Sequence, residues 1–305
     1  MNDFNTRFRG VFTALVTPFR DGAIDYAAFD ALVERQIEAG VAGLVPVGTT
    51  GEAATLSDEE ADALIARTVK LAAGRVLVMA GAGANDTKKT IEKVRRAEKA
   101  GADALLLVTP YYNKPTQAGL IAHYGAAAEA TGLPVMLYSV PGRCGVEIAP
   151  ETCALLIQRH ANIVAIKEAG GSAGRVTQLR QACGEGLIIH SGDDGLTLPF
   201  LSVGAIGVTS VVANVAPREM VRLVELFQKG ETAQALQLHE MIAELTDGMF
   251  IESNPGPVKA ALALSNLAGP EMRLPMVPVS DVNRERLAGI LSRFGSASAA
   301  FQEMR

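Results

Sequence analysis

Glu38-Ala39-Gly40-Val41-Ala42-Gly43-Leu44 is the end of an amphipathic stretch turning into a short apolar run, and Lys99-Ala100-Gly101-Ala102-Asp103-Ala104-Leu105 repeats the pattern. Ser202-Val203-Gly204-Ala205-Ile206-Gly207-Val208 echoes it. Glycine suits the turn, because the residue after a helix C-terminus often needs a positive φ that a side chain with Cβ resists. Working outward from these repeats, apolar runs alternate with amphipathic stretches over 1–230, the pattern of consecutive βα units on a parallel sheet. Strands are predicted over Gly10–Thr17, Gly43–Val47, Arg75–Ala80, Ala104–Val108, Pro134–Ser139, Ile163–Glu168, Leu187–Ser191 and Gly207–Val212. Helices should begin near Asp25, Ser57, Thr87, Thr116, Pro150, Gly174, Asp194 and Pro217, with Ser57 and Glu60 forming a capping box. An open doubly wound sheet usually has about five or six strands, so eight in regular succession favour closure into a (β/α)8 TIM barrel. Beyond 230 the strand signals stop. Thr232–Ile251, Pro257–Leu267 and Asp281–Phe294 read as helices separated by breaks such as Asn254-Pro255-Gly256-Pro257, giving a C-terminal helical extension over 231–305 that should pack on the barrel or on a partner subunit.

Composition narrows the function classes. The 305 residues are 49% hydrophobic, and no apolar run approaches the roughly 18 to 20 residues that span a bilayer. Met1-Asn2-Asp3-Phe4 lacks the basic-then-apolar start of a secretory signal, so a cytoplasmic protein is expected. A net charge of -5, no Trp and five Tyr give neither a basic stripe nor stacking platforms for nucleic acid. Cys144, Cys153 and Cys183 are an odd number without CxxC spacing and read as reduced thiols. His123, His160, His190 and His239 are scattered, which leaves a histidine-based metal centre unsupported.

In a barrel the chemistry belongs at the C-terminal ends of the strands. There the sixth predicted strand, Asn162-Ile163-Val164-Ala165-Ile166-Lys167-Glu168, delivers a primary amine just before Ala169-Gly170-Gly171. Alternation would put Ile163, Ala165 and Lys167 on one face, and an ammonium among such neighbours is disfavoured relative to the amine that attacks carbonyls. The alternative is a lysine that snorkels from the strand end into solvent. Gly48-Thr49-Thr50-Gly51-Glu52 offers two hydroxyls and open backbone N–H groups to a carboxylate. Tyr111 and Tyr112, in a loop bracketed by prolines, read most simply as packing against a neighbouring helix. Tyr138, at the end of the fifth strand, should point into the barrel mouth above Met136. Arg143 carries a planar fork suited to a carboxylate, or else pairs with Glu147 at the surface. Asp193 and Asp194 read best as caps of the segment that follows them. One lysine, one tyrosine, a hydroxyl pair and an arginine on one rim suit carbonyl chemistry on a small carboxylate.

Gly48-Thr49-Thr50-Gly51-Glu52, Tyr111-Tyr112-Asn113-Lys114-Pro115, Tyr138-Ser139-Val140-Pro141-Gly142-Arg143 and Ile166-Lys167-Glu168-Ala169 together resemble the dihydrodipicolinate synthase family, within the superfamily of pyruvate-dependent class I aldolases that includes N-acetylneuraminate lyase. The resemblance runs from about residue 10 to 294. It implies that Lys167 forms an imine with pyruvate, that Thr50 holds the pyruvate carboxylate, and that Tyr138, Thr49 and Tyr112 form a proton relay. It further implies that Arg143 takes the carboxylate of L-aspartate 4-semialdehyde and that the product is 4-hydroxy-tetrahydrodipicolinate, on the way to lysine and diaminopimelate. No cofactor is implied beyond the covalent imine, and no metal. In the family the residue matching Tyr112 reaches into a neighbouring subunit, which implies a homo-oligomer, usually a tetramer.

The chain departs from the family pattern at Ser139, where Asn is common, at Cys144 and Gly170, where Thr is common, and at Thr209, where a branched apolar residue is common. Thr209 is counted with Thr50 and Arg143 among the substrate-binding residues. These departures touch the second-substrate pocket, so the rival reading inside the superfamily is a pyruvate lyase acting on another aldehyde. The rival from another class is a noncatalytic metabolite-binding barrel. Lysine-sensitive members bind the effector near the positions of Ala53, Asp58, Ala61, Asn85, Lys89 and Tyr111, with a glutamate at the position of Lys89 and a histidine at that of Ala61. Weak or absent lysine inhibition is expected here.

Overall fold

The computed structural model describes residues 3–303. Eight parallel strands close into a barrel: β1 (Gly10–Ala14), β2 (Gly43–Val45), β3 (Leu77–Gly81), β4 (Ala104–Val108), β5 (Val135–Ser139), β6 (Ile163–Glu168), β7 (Ile188–Ser191) and β8 (Gly207–Ser210). Each strand pairs with its successor and β8 closes on β1. Helices α1 (Tyr26–Glu38), α2 (Asp58–Ala72), α3 (Thr87–Lys99), α4 (Gln117–Glu129), α5 (Pro150–Arg159), α6 (Gly174–Cys183), α7 (Thr197–Ser202) and α8 (Pro217–Gln228) surround the ring. The predicted barrel is the observed one.

Local chemistry sets the helix starts. The Asp25 carboxylate accepts from Ala28 N–H at 3.0 Å, and Ser57 and Glu60 exchange hydrogen bonds of 3.2 and 2.9 Å in a capping box. The three repeat glycines hold the φ their turns require, +83° at Gly40, +91° at Gly101 and +105° at Gly204. Outward residues of the strands, among them Leu44, Leu105, Leu137, Ile189 and Val208, pack beneath the helices. Inward residues fill the ring with Phe8, Phe12, Met79, Met136, Ala165 and Ile188.

Four details differ from the sequence reading. First, β1 stops at Ala14: Leu15 N–H still reaches Val45 O (3.1 Å), but beyond it Val16 N–H donates to Asn214 Oδ1 (3.2 Å) and the Thr17 hydroxyl to Gly51 O (2.8 Å), outside the ladder. Second, the β5–β6 register shifts at Val135/Met136, so Val164 is inserted as a bulge. Val164 and Ala165 therefore both join the interior cluster, and Ile163 joins the outer one instead of sharing the face of Lys167. Third, a short helix, Asp3–Arg7, precedes β1 and seats Phe8 inside the ring, 5.9 Å from the Phe12 centroid. Fourth, Phe19–Arg20 and Ala23–Ile24 form a small antiparallel ribbon.

The extension contains α9 (Thr232–Gly248), α10 (Gly256–Leu264) and α11 (Asp281–Glu303). It packs on the barrel through buried polar contacts as well as apolar ones. Lys259 Nζ, 1% exposed, donates to Thr17 O (2.9 Å) and pairs with Glu52. Arg273 forks onto both oxygens of Glu60, each at 2.6 Å. Among the described residues no helix is long and apolar enough to cross a membrane.

Candidate active site

The register across the ring places the site: Tyr138 on β5 pairs with Lys167 on β6, and Lys167 with His190 on β7. Lys167 does not snorkel. Its side chain is 5% exposed and its Nζ lies 4.2 Å from the centroid of the Tyr138 ring. Burial, opposed by the charge of Asp194 and helped by that of Arg143, brings its pKa down to about 8. The turn after β7 packs on the stem of this lysine so closely that a Cβ at Gly192 would lie 2.9 Å from Lys167 Cε.

Tyr138 is 7% exposed, and its hydroxyl approaches that of Thr49. Burial raises the phenol to about 12, against the pull of Arg143 and Thr49, so it carries its proton at neutral pH. Thr50 is buried and accepts a hydrogen bond from Asn254 Nδ2 at 3.0 Å. Because that nitrogen occupies an oxygen lone pair, the Thr50 hydroxyl hydrogen is left to donate to an anion. Arg143 donates to Asn254 O at 3.2 Å and does not pair with Glu147, whose carboxylate lies 3.3 Å from Arg175. Lys167, Tyr138, Thr49, Thr50 and Arg143 therefore line one mouth. Thr209 is buried on β8, its Oγ1 3.1 Å from His190 Nδ1.

Tyr112 is the exception. It is 90% exposed with φ +73°, and within one chain nothing brings its hydroxyl to the other site residues.

The aspartate pair divides its roles. Asp193 accepts from Gly195 N–H (3.1 Å), as a cap should. Asp194 does not cap the segment after it; buried at 1% exposure, it turns back to the end of β8, accepting from Val211 N–H (2.9 Å), Val212 N–H (3.3 Å) and the Ser210 hydroxyl. Burial pushes its carboxyl upward while these donors and Lys167 hold it down. Cys144 is buried and its thiol is pushed up to about 11, which leaves it unreactive at neutral pH. The three cysteines are unpaired.

Sequence reasoning missed Asn254, read there as part of a proline-rich break, and the turn of the Asp194 carboxylate back to the end of β8, where its charge acts on Lys167. A buried Asn in the extension carries no periodic signal, and its neighbour Thr50 is distant in the chain. A wide groove lined by Glu151, Gln158, Gln178 and Cys183 lies apart from these residues, on the helix layer.

A closed parallel barrel with a desolvated lysine at the carboxyl ends of its strands, under a protonated phenol and with a buried threonine hydroxyl free to donate at the same mouth, defines a (β/α)8 protein of the class I aldolase type. The sequence model of the dihydrodipicolinate synthetase family matches residues 7–294. A 4-hydroxy-tetrahydrodipicolinate synthase of Pelobacter propionicus is 48% identical over 288 residues, covering 94% of this chain and 99% of the relative. The 4-hydroxy-tetrahydrodipicolinate synthase structure of Methylacidiphilum fumariolicum superposes with a TM-score of 0.95 at 47% identity, covering 97% of this chain and 98% of that one. A dihydrodipicolinate synthase of Acinetobacter baumannii, solved in complex with pyruvate, superposes at 0.92 with 43% identity, covering 94% and 99%. The chain belongs to the dihydrodipicolinate synthetase family.

Proposed function

We propose that this protein is a lyase that condenses pyruvate with L-aspartate 4-semialdehyde to 4-hydroxy-tetrahydrodipicolinate, acting in the cytoplasm in lysine and diaminopimelate biosynthesis. Family membership and the names of the relatives support the reaction, and the lowered pKa of a buried Lys167 amine carries the assignment of the nucleophile. With its pKa near 8, a useful fraction of Lys167 is neutral at physiological pH, whereas an ordinary lysine near 10.5 would be almost wholly charged.

In this mechanism Nζ adds to the keto carbon of pyruvate, and loss of water leaves an iminium. The pyruvate carboxylate sits on the Thr50 hydroxyl, whose donor is left open by Asn254. The iminium withdraws electrons, so a methyl proton leaves and the enamine carbon attacks the aldehyde of the second substrate, whose carboxylate meets Arg143. The amino group of that substrate then adds to the imine carbon and expels Lys167, closing the ring.

Tyr138 is protonated at neutral pH and donates in these steps, refilled through Thr49 and through Tyr112 supplied by a neighbouring subunit. The exposure of Tyr112 supports a homo-oligomer, with a tetramer as the family norm. The imine on Lys167 takes the place of a cofactor.

Borohydride reduction with pyruvate tests the nucleophile: a stable adduct on Lys167, lost in Lys167→Met, is expected. An intact protein with no mass shift would put the noncatalytic barrel ahead. Turnover with aspartate semialdehyde but not with N-acetylmannosamine is expected, and the reverse preference would reassign the aldehyde.

A further inference from the structure

Below the Lys167 amine lies a buried polar pair that the mechanism above leaves unused. His190 is the register partner of Lys167 and of Gly207. Thr209, two residues past Gly207, projects from the same inward face, one layer of about 7 Å closer to the mouth. Both side chains are wholly buried. The imidazole is held on three sides: Nε2 is 2.6 Å from Phe8 O, Nδ1 is 3.1 Å from Thr209 Oγ1, and the ring stands edge-on to Phe12 with centroids 5.1 Å apart. Gly207 leaves the room for it, since a Cβ there would lie 2.7 Å from Nε2.

The proton positions follow from the partners. A carbonyl oxygen only accepts, so Nε2 carries the hydrogen. Burial, with the nearby charge of Lys167, takes the imidazole down to about 4 although Phe8 O opposes this, so the ring is neutral near pH 7 and Nδ1 is a bare acceptor. The Thr209 hydroxyl must then donate to Nδ1. Its oxygen turns only lone pairs toward the chamber.

We infer that His190 is a positioning residue that locks Thr209 as an acceptor-only hydroxyl one layer above the row of Lys167, at the level its side chain reaches, where it takes a hydrogen bond from the amine or from the carbinolamine hydroxyl that precedes the imine. The inference rests on the imine reading above. Addition of the neutral Nζ to the keto carbon moves one proton from nitrogen to the carbonyl oxygen, giving that hydroxyl, and one further proton, given by the Tyr138 phenol, lets it leave as water with the nitrogen lone pair forming the iminium. A fixed acceptor orients the hydroxyl without competing for its lone pairs.

Rapid-quench borohydride trapping with pyruvate, read by intact mass across pH, tests this. Thr209→Val should trap about tenfold more slowly, and its pH midpoint should fall, because a lost acceptor no longer favours the ammonium form. The other groups that set that midpoint, Tyr138 on β5, Arg143 after it, and Asp194 after β7, are untouched by the substitution. His190→Leu should give the same slowing by freeing the hydroxyl to rotate. His190→Gln, which keeps one acceptor and one donor, should restore the rate, and Thr209→Ser, which keeps the hydroxyl, should recover most of the rate lost in Thr209→Val. The two losses should not add in the double variant Thr209→Val/His190→Leu, since they remove one interaction. Unchanged trapping in Thr209→Val, or an additive double variant, would overturn the pairing while leaving the imine intact. No adduct in the unaltered protein would overturn both.

Discussion

At the residue scale the chemistry depends on keeping one amine dry. Lys167 sits where a charged group is costly, and its depressed pKa predicts a stability effect as well as a catalytic one. Below about pH 8 both the folded and the unfolded protein carry this charge, and the folded form bears the full cost of burying it. As pH rises from about 8 toward 10.5 the folded amine is neutral while the unfolded one remains charged, so the cost is progressively relieved. Lys167→Met should therefore stabilise the fold at pH 7 by about 3 kcal/mol, taking about 1.4 kcal/mol per pKa unit, with the gain shrinking toward pH 10.5. Urea titrations at the two pH values measure it; an equal gain at both would mean that the amine is not the group being relieved. A site that costs stability in this way is the usual exchange between activity and stability.

At the element scale, the extension is bound to the barrel by charges taken out of water. Lys259 and Glu52 are both almost completely buried, and Arg273 N–H also donates to Glu52, at 3.1 Å. Glu52 belongs to the turn that carries Thr49 and Thr50, so this ion pair holds that turn against α10. Lys259→Met leaves a buried carboxylate without its counter-charge and should cost about 3 to 5 kcal/mol. Denaturant unfolding measures the loss, and one below about 1 kcal/mol would show that Glu52 is solvated by other means. Much at this scale was legible in advance: helix starts at Ser57, Thr87 and Pro150, and strands β4 and β6 to the residue, because caps and apolar runs are local signals. The Val164 bulge was not, since nothing within β6 itself distinguishes an inserted residue from a paired one.

At the scale of the whole molecule, an exposed tyrosine and an exposed lysine carry the predictions. Tyr112→Phe should lower condensation by about 100-fold or more if its hydroxyl completes the relay from another subunit. Co-refolding Tyr112→Phe with Lys167→Met should return part of the activity, because hybrid assemblies contain one site with both groups. Failure to recover any would confine Tyr112 to its own chain. Lys89 is exposed on α3, where its cationic side chain would repel the ammonium of an effector lysine bound as the family resemblance implies. Steady-state assays should show no inhibition by lysine at sub-millimolar concentration, and inhibition there would mean that another group offsets this charge.

The sequence by itself determined the barrel, its eight strands, and the identity of Lys167, Tyr138, Thr49, Thr50 and Arg143 as site candidates, because periodicity and strand-end chemistry are written in short stretches. Tertiary structure alone decided that Asn254 opens the Thr50 donor, that Asp194 turns back onto the end of β8 within electrostatic reach of Lys167, and that His190 orients Thr209. Each of those depends on distant segments meeting in a medium that excludes water. Burial lowers the pKa of a lysine amine and leaves a histidine a neutral acceptor, and burial belongs to the closed ring and not to any stretch of it.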